Sequence, residues 1–332
     1  MINMTETTQQ LTQGKNTVVI TGELATNNLE VKVSAKGVEY ITGYVDIKTA
    51  ENETHRVNFF EMATFNSGKE NNAFKGLRTA MDTKVSIADI AEGKVAETVP
   101  SKVRVTGGQL EMNDYYHGAT EQVVSTPRVS GRYIADLKLD AKGNLPQFGA
   151  TFQVQGVLQK KVVKEDNNGD VKVTLQLLNP DFRGTLTPIE LVAYGGAAEH
   201  FEANVDNGQA LFLEGNLKNI YERHEKEVQL EGMFGEPMIE TTQRTVREWV
   251  VTRGGNLTYG TGVNEVNWDD AELLRKALAE RETMLAGLKG KYEERQGKKK
   301  ASNDPFATPA GNDPFAEAKE EVDLGALGNM FG

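Results

Sequence analysis

The chain has no cysteine and few histidines. The missing thiols exclude disulfides, thiolate zinc sites and cysteine nucleophiles, and they fit a reducing compartment. The four histidines lie far apart in sequence and match no metal-ligand spacing; they are His55, His117, His200 and His224. Neither the phosphate-loop pattern G-x-x-x-x-G-K-[ST] nor the nucleophile-elbow pattern G-x-S-x-G occurs. We therefore expect a protein without enzymatic activity, cofactor or bound metal.

Long hydrophobic runs are also missing. No apolar stretch approaches the roughly 20 residues that are needed to span a bilayer. The first 25 residues are polar and contain no apolar signal-peptide core. We therefore expect a protein of the cytoplasm with no membrane association.

Positive charge is in short supply. The 332 residues carry a net charge of -11, with a pI of about 5.1 and a mean hydropathy of -0.48. A basic chain would point to nucleic-acid binding, and this one does not. Much of the acid, however, falls in the last stretch of the chain, so a surface elsewhere can still be locally basic. The length allows two ordinary domains with some chain left over.

One pattern occurs twice along the chain. A strand that ends in an aromatic residue is followed by a helix-compatible connector, a strand with a glycine, and another aromatic a few residues later. This order is typical of a small five-stranded barrel, in which exposed aromatic side chains are available to stack on bases. The two copies comprise residues 55–60, 102–110 and 115–116 in the first half, and residues 189–195, 211–217 and 221 in the second.

Both halves resemble the bacterial-type single-stranded DNA-binding protein family, whose fold is the OB barrel. The second half carries the resemblance most clearly, in residues 191–199 and 207–217, and residues 55–57 and 108–110 match the same two places in the first half. The resemblance implies a mainly β chain with two tandem OB-fold barrels. The expected organisation is a flexible arm (1–14), a first OB domain (15–140), a second OB domain (150–255), a linker (256–268), a helix (269–297) and a disordered acidic tail (298–332).

The resemblance also implies a set of stacking aromatics. Phe60 and Tyr194 fall where the family places an aromatic at the end of the third strand, and Tyr115 falls at the family's stacking tryptophan. Alternation along the second predicted strand puts Tyr40 and Tyr44 on its outer face, and Tyr221 lies one position from the tryptophan place in the second half. The predicted DNA-binding aromatics are Tyr40, Tyr44, Phe60, Tyr115, Tyr116, Tyr194 and Tyr221. Thr54 and Pro188 stand where another family tryptophan is usual.

Basic side chains on the predicted strands and hairpins are candidates to hold phosphates, because tracking a nucleic-acid backbone requires several cations along one groove. They are Arg56, Lys102 and Arg104 in the first half, and Lys160, Lys161, Lys164, Lys172 and Arg223 in the second.

The tail carries a repeated acidic and aromatic motif. Family members end in an acidic tail with a Pro-Phe tip that docks partner proteins, and here Asp-Pro-Phe is internal and duplicated, which favours a phage-encoded member. Isolated aromatics can anchor a peptide ligand while carboxylates steer it. The predicted partner-binding residues are Asp304, Pro305, Phe306, Asp313, Pro314, Phe315, Met330 and Phe331.

The resulting hypothesis is sequence-independent binding and protection of single-stranded DNA in replication, recombination and repair, in a bacterial or phage-infected cell, with the tail recruiting replication or recombination proteins. The sequence leaves open whether the chain forms a homodimer and whether both barrels bind. Three alternatives stay open: a tandem OB module that assembles proteins, an RNA-binding OB protein, and, more distantly, a metal-dependent nuclease.

Overall fold

The computed structural model describes residues 10–165, 171–228, 238–260 and 265–302. The first half of the chain folds into a closed β-barrel. β1 pairs with β2, β2 with β3, β3 with β5 in parallel, β5 with β4, and β4 again with β1. This is the strand order of an OB-fold. Its strands are β1 (Asn16–Val33), β2 (Glu39–Ala50), β3 (Glu53–Met62), β4 (Lys102–His117) and β5 (Gln122–Ser130).

The helix-compatible connector between β3 and β4 contains two helices, α1 (Asn72–Thr83) and α2 (Ile87–Ala91). Asn71 caps α1 by accepting a hydrogen bond from the backbone N–H of Ala73, which satisfies one of the free donors at the helix start. α1 buries Phe74 and Leu77 against the barrel. A short strand, β6 (Tyr133–Asp136), then adds to the outer edge of β4.

The second half repeats the barrel with the same order of pairing. β7 pairs with β8, β8 with β9, β9 with β11 in parallel, β11 with β10, and β10 with β7. The predicted helix α3 (Gly195–Asn204) again joins the third strand to the fourth. The mainly β chain with two OB barrels is thereby confirmed. The strands are β7 (Gly149–Glu165), β8 (Val171–Pro180), β9 (Leu186–Tyr194), β10 (Ala210–Val228) and β11 (Met238–Asn256).

Glycines stand at equivalent places in the two barrels because two strands approach each other too closely for a side chain. β1 changes partner from β4 to β2 just after Gly22, and a Cβ there would meet the backbone carbonyl of Lys48. Gly156 holds the same place in β7, where a Cβ would meet the carbonyl of Leu178. At each glycine the long first strand bends, so that it can pair with two different strands of its barrel.

The two barrels are joined edge to edge by their first strands. Residues 16–21 of β1 pair antiparallel with residues 149–154 of β7, so that all eleven strands belong to one sheet. A second junction joins β10 to the start of β3. There the Ile220 backbone bridges to Glu53, and the Asn219 side chain donates to the carbonyl oxygen of Thr54.

Residues 10–14 and the described parts of residues 256–268 pack at one end of the second barrel. The buried Trp268 indole N–H donates to the carbonyl of Thr12 at 2.8 Å, and Leu11 lies in the same apolar cluster at one end of the second barrel. Tyr259 and Val266 form a β-bridge beside them. Residues 10–14 and most of the 256–268 segment therefore close the barrel end, because apolar side chains within them have a core to join.

The predicted C-terminal helix is present as α4 (Ala271–Ser302), and it reaches from one barrel to the other. Its first turns pack Leu274 and Ala277 against the second barrel. Further along, Arg281 binds Asp114 of β4 at 2.9 Å in a largely buried ion pair, and the Tyr292 ring lies 5.3 Å from that of Tyr116. In the described ranges no helix is long and apolar enough to cross a membrane, and no three His, Asp or Glu residues gather as a metal-ligand set.

We expect Gly156→Ala to destabilise the protein by about 1–3 kcal/mol, because the new methyl group must displace strand β8. Gly76 in α1 is the matched control, since nothing lies within 4 Å of a Cβ placed there. Gly76→Ala should stabilise the helix by up to about 1 kcal/mol. Urea denaturation of both variants measures the difference, and an unchanged midpoint for Gly156→Ala would contradict the close approach.

Candidate nucleic-acid interface

The β2–β3 face of the first barrel presents large aromatic side chains. In the antiparallel register Tyr40 lies opposite Met62 and Thr42 lies opposite Phe60, so both aromatics leave the sheet on the side away from the core. Their rings are 5.5 Å apart and tilted by 43°. Phe60 is 62% exposed, which is costly for a phenylalanine unless a ligand covers it. This is the strand pair on which OB-folds bind oligonucleotides.

An arginine is fixed on the same face, against a third aromatic ring. The Arg56 guanidinium lies 3.7 Å from the centre of the Tyr44 ring and donates two hydrogen bonds, of 2.9 and 3.0 Å, to the Asp46 carboxylate. The bidentate pair raises the pKa of Arg56 and holds its plane against the Tyr44 ring. The predicted phosphate contact at Arg56 would therefore compete with Asp46.

The corresponding face of the second barrel contains a tyrosine, a lysine and a glutamate. Lys172 lies opposite Tyr194 in the β8–β9 register, with its ammonium 5.5 Å from the centre of the ring. Glu248 of β11 joins them, accepting 2.8 Å from Lys172 Nζ and 2.5 Å from the Tyr194 hydroxyl. Tyr194 is still 40% exposed, so its ring is available to a ligand while its hydroxyl is anchored.

Burial and hydrogen bonding act in opposite directions within this trio. Burial alone would raise the pKa of Glu248, yet the hydrogen bonds from Lys172 and Tyr194 outweigh it and lower the pKa. Burial would lower the pKa of Lys172, and the same bonds raise it. Burial and the anionic Glu248 together raise the pKa of Tyr194. At neutral pH the trio is a charged pair with a neutral phenol.

Two further predicted lysines share this face, and a third does not. Lys160 and Lys164 lie opposite Gln176 and Lys172 in β8, and both are exposed. Lys161 is opposite the buried Leu175, and its ammonium donates to three carbonyls at the end of α3, those of Phe201, Glu202 and Val205, at 2.6–2.9 Å. The ammonium of Lys161 is therefore bound to the end of α3 and does not lie on the face that carries Tyr194.

The remaining cations of the first barrel lie on another wall. Lys102 and Arg104 belong to β4, which pairs with β1, β5 and β6 and not with β2 or β3. Arg104 is exposed and stands opposite Ala135 of β6. These two side chains are therefore not part of the aromatic face.

The β4–β5 and β10–β11 hairpins carry the other predicted aromatics. Tyr115 is 39% exposed and shares its hairpin face with Arg128, whereas Tyr116 points the opposite way and packs on Tyr292 of α4. Tyr116 is thus occupied by the helix. Tyr221 is 45% exposed, and its backbone N–H donates to the carbonyl of Asn52 at 2.9 Å.

The tail predictions lie outside the described residues, as does the side chain of Arg223, whose backbone runs in β10. The tail positions concerned are Asp304, Pro305, Phe306, Asp313, Pro314, Phe315, Met330 and Phe331.

The two barrel faces open onto one cleft of about 560 Å³. Asp46, Arg56 and Asn58 line it from the first barrel, and Lys172 and Thr174 line it from the second. From sequence alone the two faces are separate surfaces, since alternation identifies the outer side of a strand and not what stands opposite it.

The cleft also contains residues that the sequence patterns did not identify. Glu248, which orients Tyr194 and Lys172, lies inside the strand that closes the second barrel. Lys218 and Arg247 line the cleft on β10 and β11. Alternation places Lys218 on the outer face of β10 and Arg247 on the opposite face of the ribbon, so alternation alone does not bring the two side chains to one cleft.

A family model described as YorF matches residues 15–291, which is most of the chain and includes both barrels and the first two-thirds of α4. The chain belongs to the YorF family. Among the curated proteins no significant match is found.

Two solved structures of the single-stranded DNA-binding protein from Thermus aquaticus, a deletion mutant and the wild type, each align with 76% of this YorF-family chain at 16% identity. The alignments cover 99% and 97% of those chains, with TM-scores of 0.44 and 0.43. A replication protein A heterotrimer bound to single-stranded DNA covers 74% of this chain at 11% identity, over 52% of its own chain, with a TM-score of 0.17. These scores are too low to carry an argument, so the barrel assignment rests on strand order and pairing.

One buried histidine of this YorF-family chain lies at the edge of the cleft. His55 is 4% exposed and its Nε2 has no hydrogen-bond partner within the described residues; Glu53 Oε1 is 3.6 Å away. Burial lowers the pKa of His55 below its ordinary value of 6.5, and the nearby Glu53 opposes this only in part. The folded protein therefore keeps His55 neutral at a pH where the unfolded chain would protonate it.

We expect the free energy of unfolding to fall as the pH drops below about 6.5. In that range His55 binds a proton in the unfolded state and stays neutral in the folded state. His55→Gln should flatten this dependence between about pH 5.5 and about pH 7.5, measured by urea denaturation. His117→Gln, at an exposed position, is the control and should keep the wild-type slope. A slope in His55→Gln equal to that of the wild type would show that another group titrates.

Proposed function

We propose that this protein binds single-stranded DNA without sequence preference, using the β2–β3 face of the first barrel and the β8–β9 face of the second. The observation that carries the proposal is the exposure of aromatic rings beside cations on the ligand-binding strand pair of both barrels. Tyr40 and Phe60 provide stacking surfaces on one face, and Tyr194 provides one on the other, next to Lys172.

Aromatic stacking explains how an acidic chain can bind a polyanion. Each base stacked on an aromatic side chain contributes about 1–3 kcal/mol and needs no net positive charge. Phosphate contacts from exposed lysines such as Lys160 and Lys164 add a salt-dependent part. Because every base has a π-face, binding of this kind discriminates little between sequences.

The wider role in the proposal is protection of single-stranded intermediates in replication, recombination and repair, in a bacterial or phage-infected cell. The acidic tail, with its two Asp-Pro-Phe motifs, would recruit the proteins that act on them. A homodimer would bring four barrels to one molecule of single-stranded DNA. The supports for this part are the resemblance of both halves to single-stranded DNA-binding proteins and the composition of the tail.

The direct test is fluorescence anisotropy of a labelled oligo(dT) with the full chain at low and high salt. We expect binding to the single strand that weakens with salt, and little binding to duplex DNA of the same length, because paired bases hide their faces. A matched RNA oligomer in competition separates DNA from RNA preference. No binding at low salt would overturn the proposal and favour an assembly module.

We expect Tyr194→Ala to weaken binding of oligo(dT) by about 1–3 kcal/mol, since the ring is removed. Tyr194→Phe keeps the ring and loses only the hydroxyl bond to Glu248, so it should bind nearly as the wild type does. Equal affinities for all three proteins would show that Tyr194 does not stack on a base.

On the first barrel, the Tyr40→Ala and Phe60→Ala double variant should lose a similar amount or more. Tyr133→Ala is the control, because Tyr133 is 39% exposed but lies on β6, away from the proposed face. Titration of the same labelled oligomer compares the affinities of the variants. An equal loss of affinity in the control would contradict the assignment of the β2–β3 face as the binding surface.

A further inference from the structure

The inter-barrel cleft is rich in cations although the chain as a whole is acidic. Five basic side chains line it, two from the first barrel and three from the second, together with three carboxylates. The cations are Arg56, Arg128, Lys172, Lys218 and Arg247, and the carboxylates are Asp46, Glu190 and Glu248. A concave surface lined mainly by one sign of charge concentrates ligands of the opposite sign.

Three of these cations are already held by carboxylates. Arg56 pairs with Asp46, Lys172 with Glu248, and Arg128 with Glu111 at 3.0 Å. A phosphate can reach these three only in competition with an existing partner.

Lys218 and Arg247 differ, since no carboxylate in the described part of the chain lies within ion-pair distance of either. Lys218 is exposed and stands opposite Glu248 in the β10–β11 register, close enough to lower the pKa of that carboxyl. Arg247 is exposed and donates through Nε to the neutral Asn219 side chain at 3.2 Å. They lie on the two faces of the β10–β11 ribbon, and both line the cleft.

Both walls of the cleft belong to one sheet. The β1–β7 pairing joins the barrels along residues 16–21 and 149–154, and the Ile220 backbone bridges to Glu53 at the second junction. A flexible chain that covers both aromatic faces must cross between them, and the cleft lies between them.

We propose that Lys218 and Arg247 form a phosphate-binding site in the inter-barrel cleft, which holds the sugar-phosphate backbone of single-stranded DNA where it passes from one barrel to the other. This inference rests on the proposed function. Its consequence is that the two faces act as one continuous site of fixed spacing, so that affinity rises in a step once an oligomer is long enough to reach both.

The test measures the anisotropy of labelled oligo(dT) from about 4 to about 32 nucleotides, which spans one to two barrel sites. The Lys218→Ala and Arg247→Ala double variant is compared with the wild type and with a charge-matched double variant over a range of salt concentrations. Loss of two phosphate contacts should reduce the slope of log affinity against log salt by about 1.4 for the long oligomers. The shortest oligomers should bind the cleft variant and the wild type alike.

The charge-matched control removes one arginine and one lysine elsewhere, as Arg78→Ala with Lys142→Ala, both exposed and outside the cleft. It makes the same change in net charge, so a general electrostatic effect would appear in it equally. If the two double variants have the same slope while the wild type binds, the cleft site is wrong and the proposed function stands. If the cleft variant loses the same affinity for oligomers of every length, Lys218 and Arg247 act within one barrel's site, and the proposed site between the barrels is wrong. No binding by the wild type would overturn both proposals.

Discussion

The arrangement of this molecule depends on one backbone contact, the antiparallel pairing of the two first strands. Six residues of β1 and six of β7 exchange ladder hydrogen bonds, so each barrel satisfies an edge of the other. An unpaired strand edge is a site for aggregation, and fusing two edges removes both. The same contact fixes the relative orientation of the barrels, and the β2–β3 and β8–β9 faces consequently open onto one cleft.

A second constraint is the net charge of -11, which determines how many cations of the cleft are paired with carboxylates. Because carboxylates outnumber cations in such a chain, most cations can form ion pairs. Arg56 pairs with Asp46, and Lys172 pairs with Glu248. These pairs orient the side chains beside the exposed rings more than they stabilise the fold, since partly exposed ion pairs contribute little. Affinity for a polyanion would then come mainly from stacking, and the few cations without carboxylate partners would set the dependence on salt.

Local pattern was sufficient to predict the barrels, and it failed where a side chain's surroundings depend on distant strands. The connector helices α1 and α3 lie where the repeated pattern predicts them, between the third and fourth strands of each barrel. Simple alternation does not predict where Lys161 points, because a bulge between Leu158 and Lys160 shifts the register by one residue and turns it toward α3. The packing of residues 10–14 depends on Trp268, more than 250 positions away, as the indole bond to Thr12 shows.

Helix α4 also links the two barrels, because it contacts the second barrel and the β4–β5 hairpin of the first. It starts on the apolar end of the second barrel, and its Arg281 and Tyr292 contact the face of β4–β5 that carries Asp114 and Tyr116. The Arg281–Asp114 pair is about nine-tenths buried at both side chains, and removing one partner of such a pair leaves an uncompensated charge. Because successive residues of a strand point to opposite faces, holding Tyr116 against Tyr292 directs Tyr115 to the opposite side, the side of Arg128 and the cleft. The helix thus orients Tyr115 through the neighbouring Tyr116.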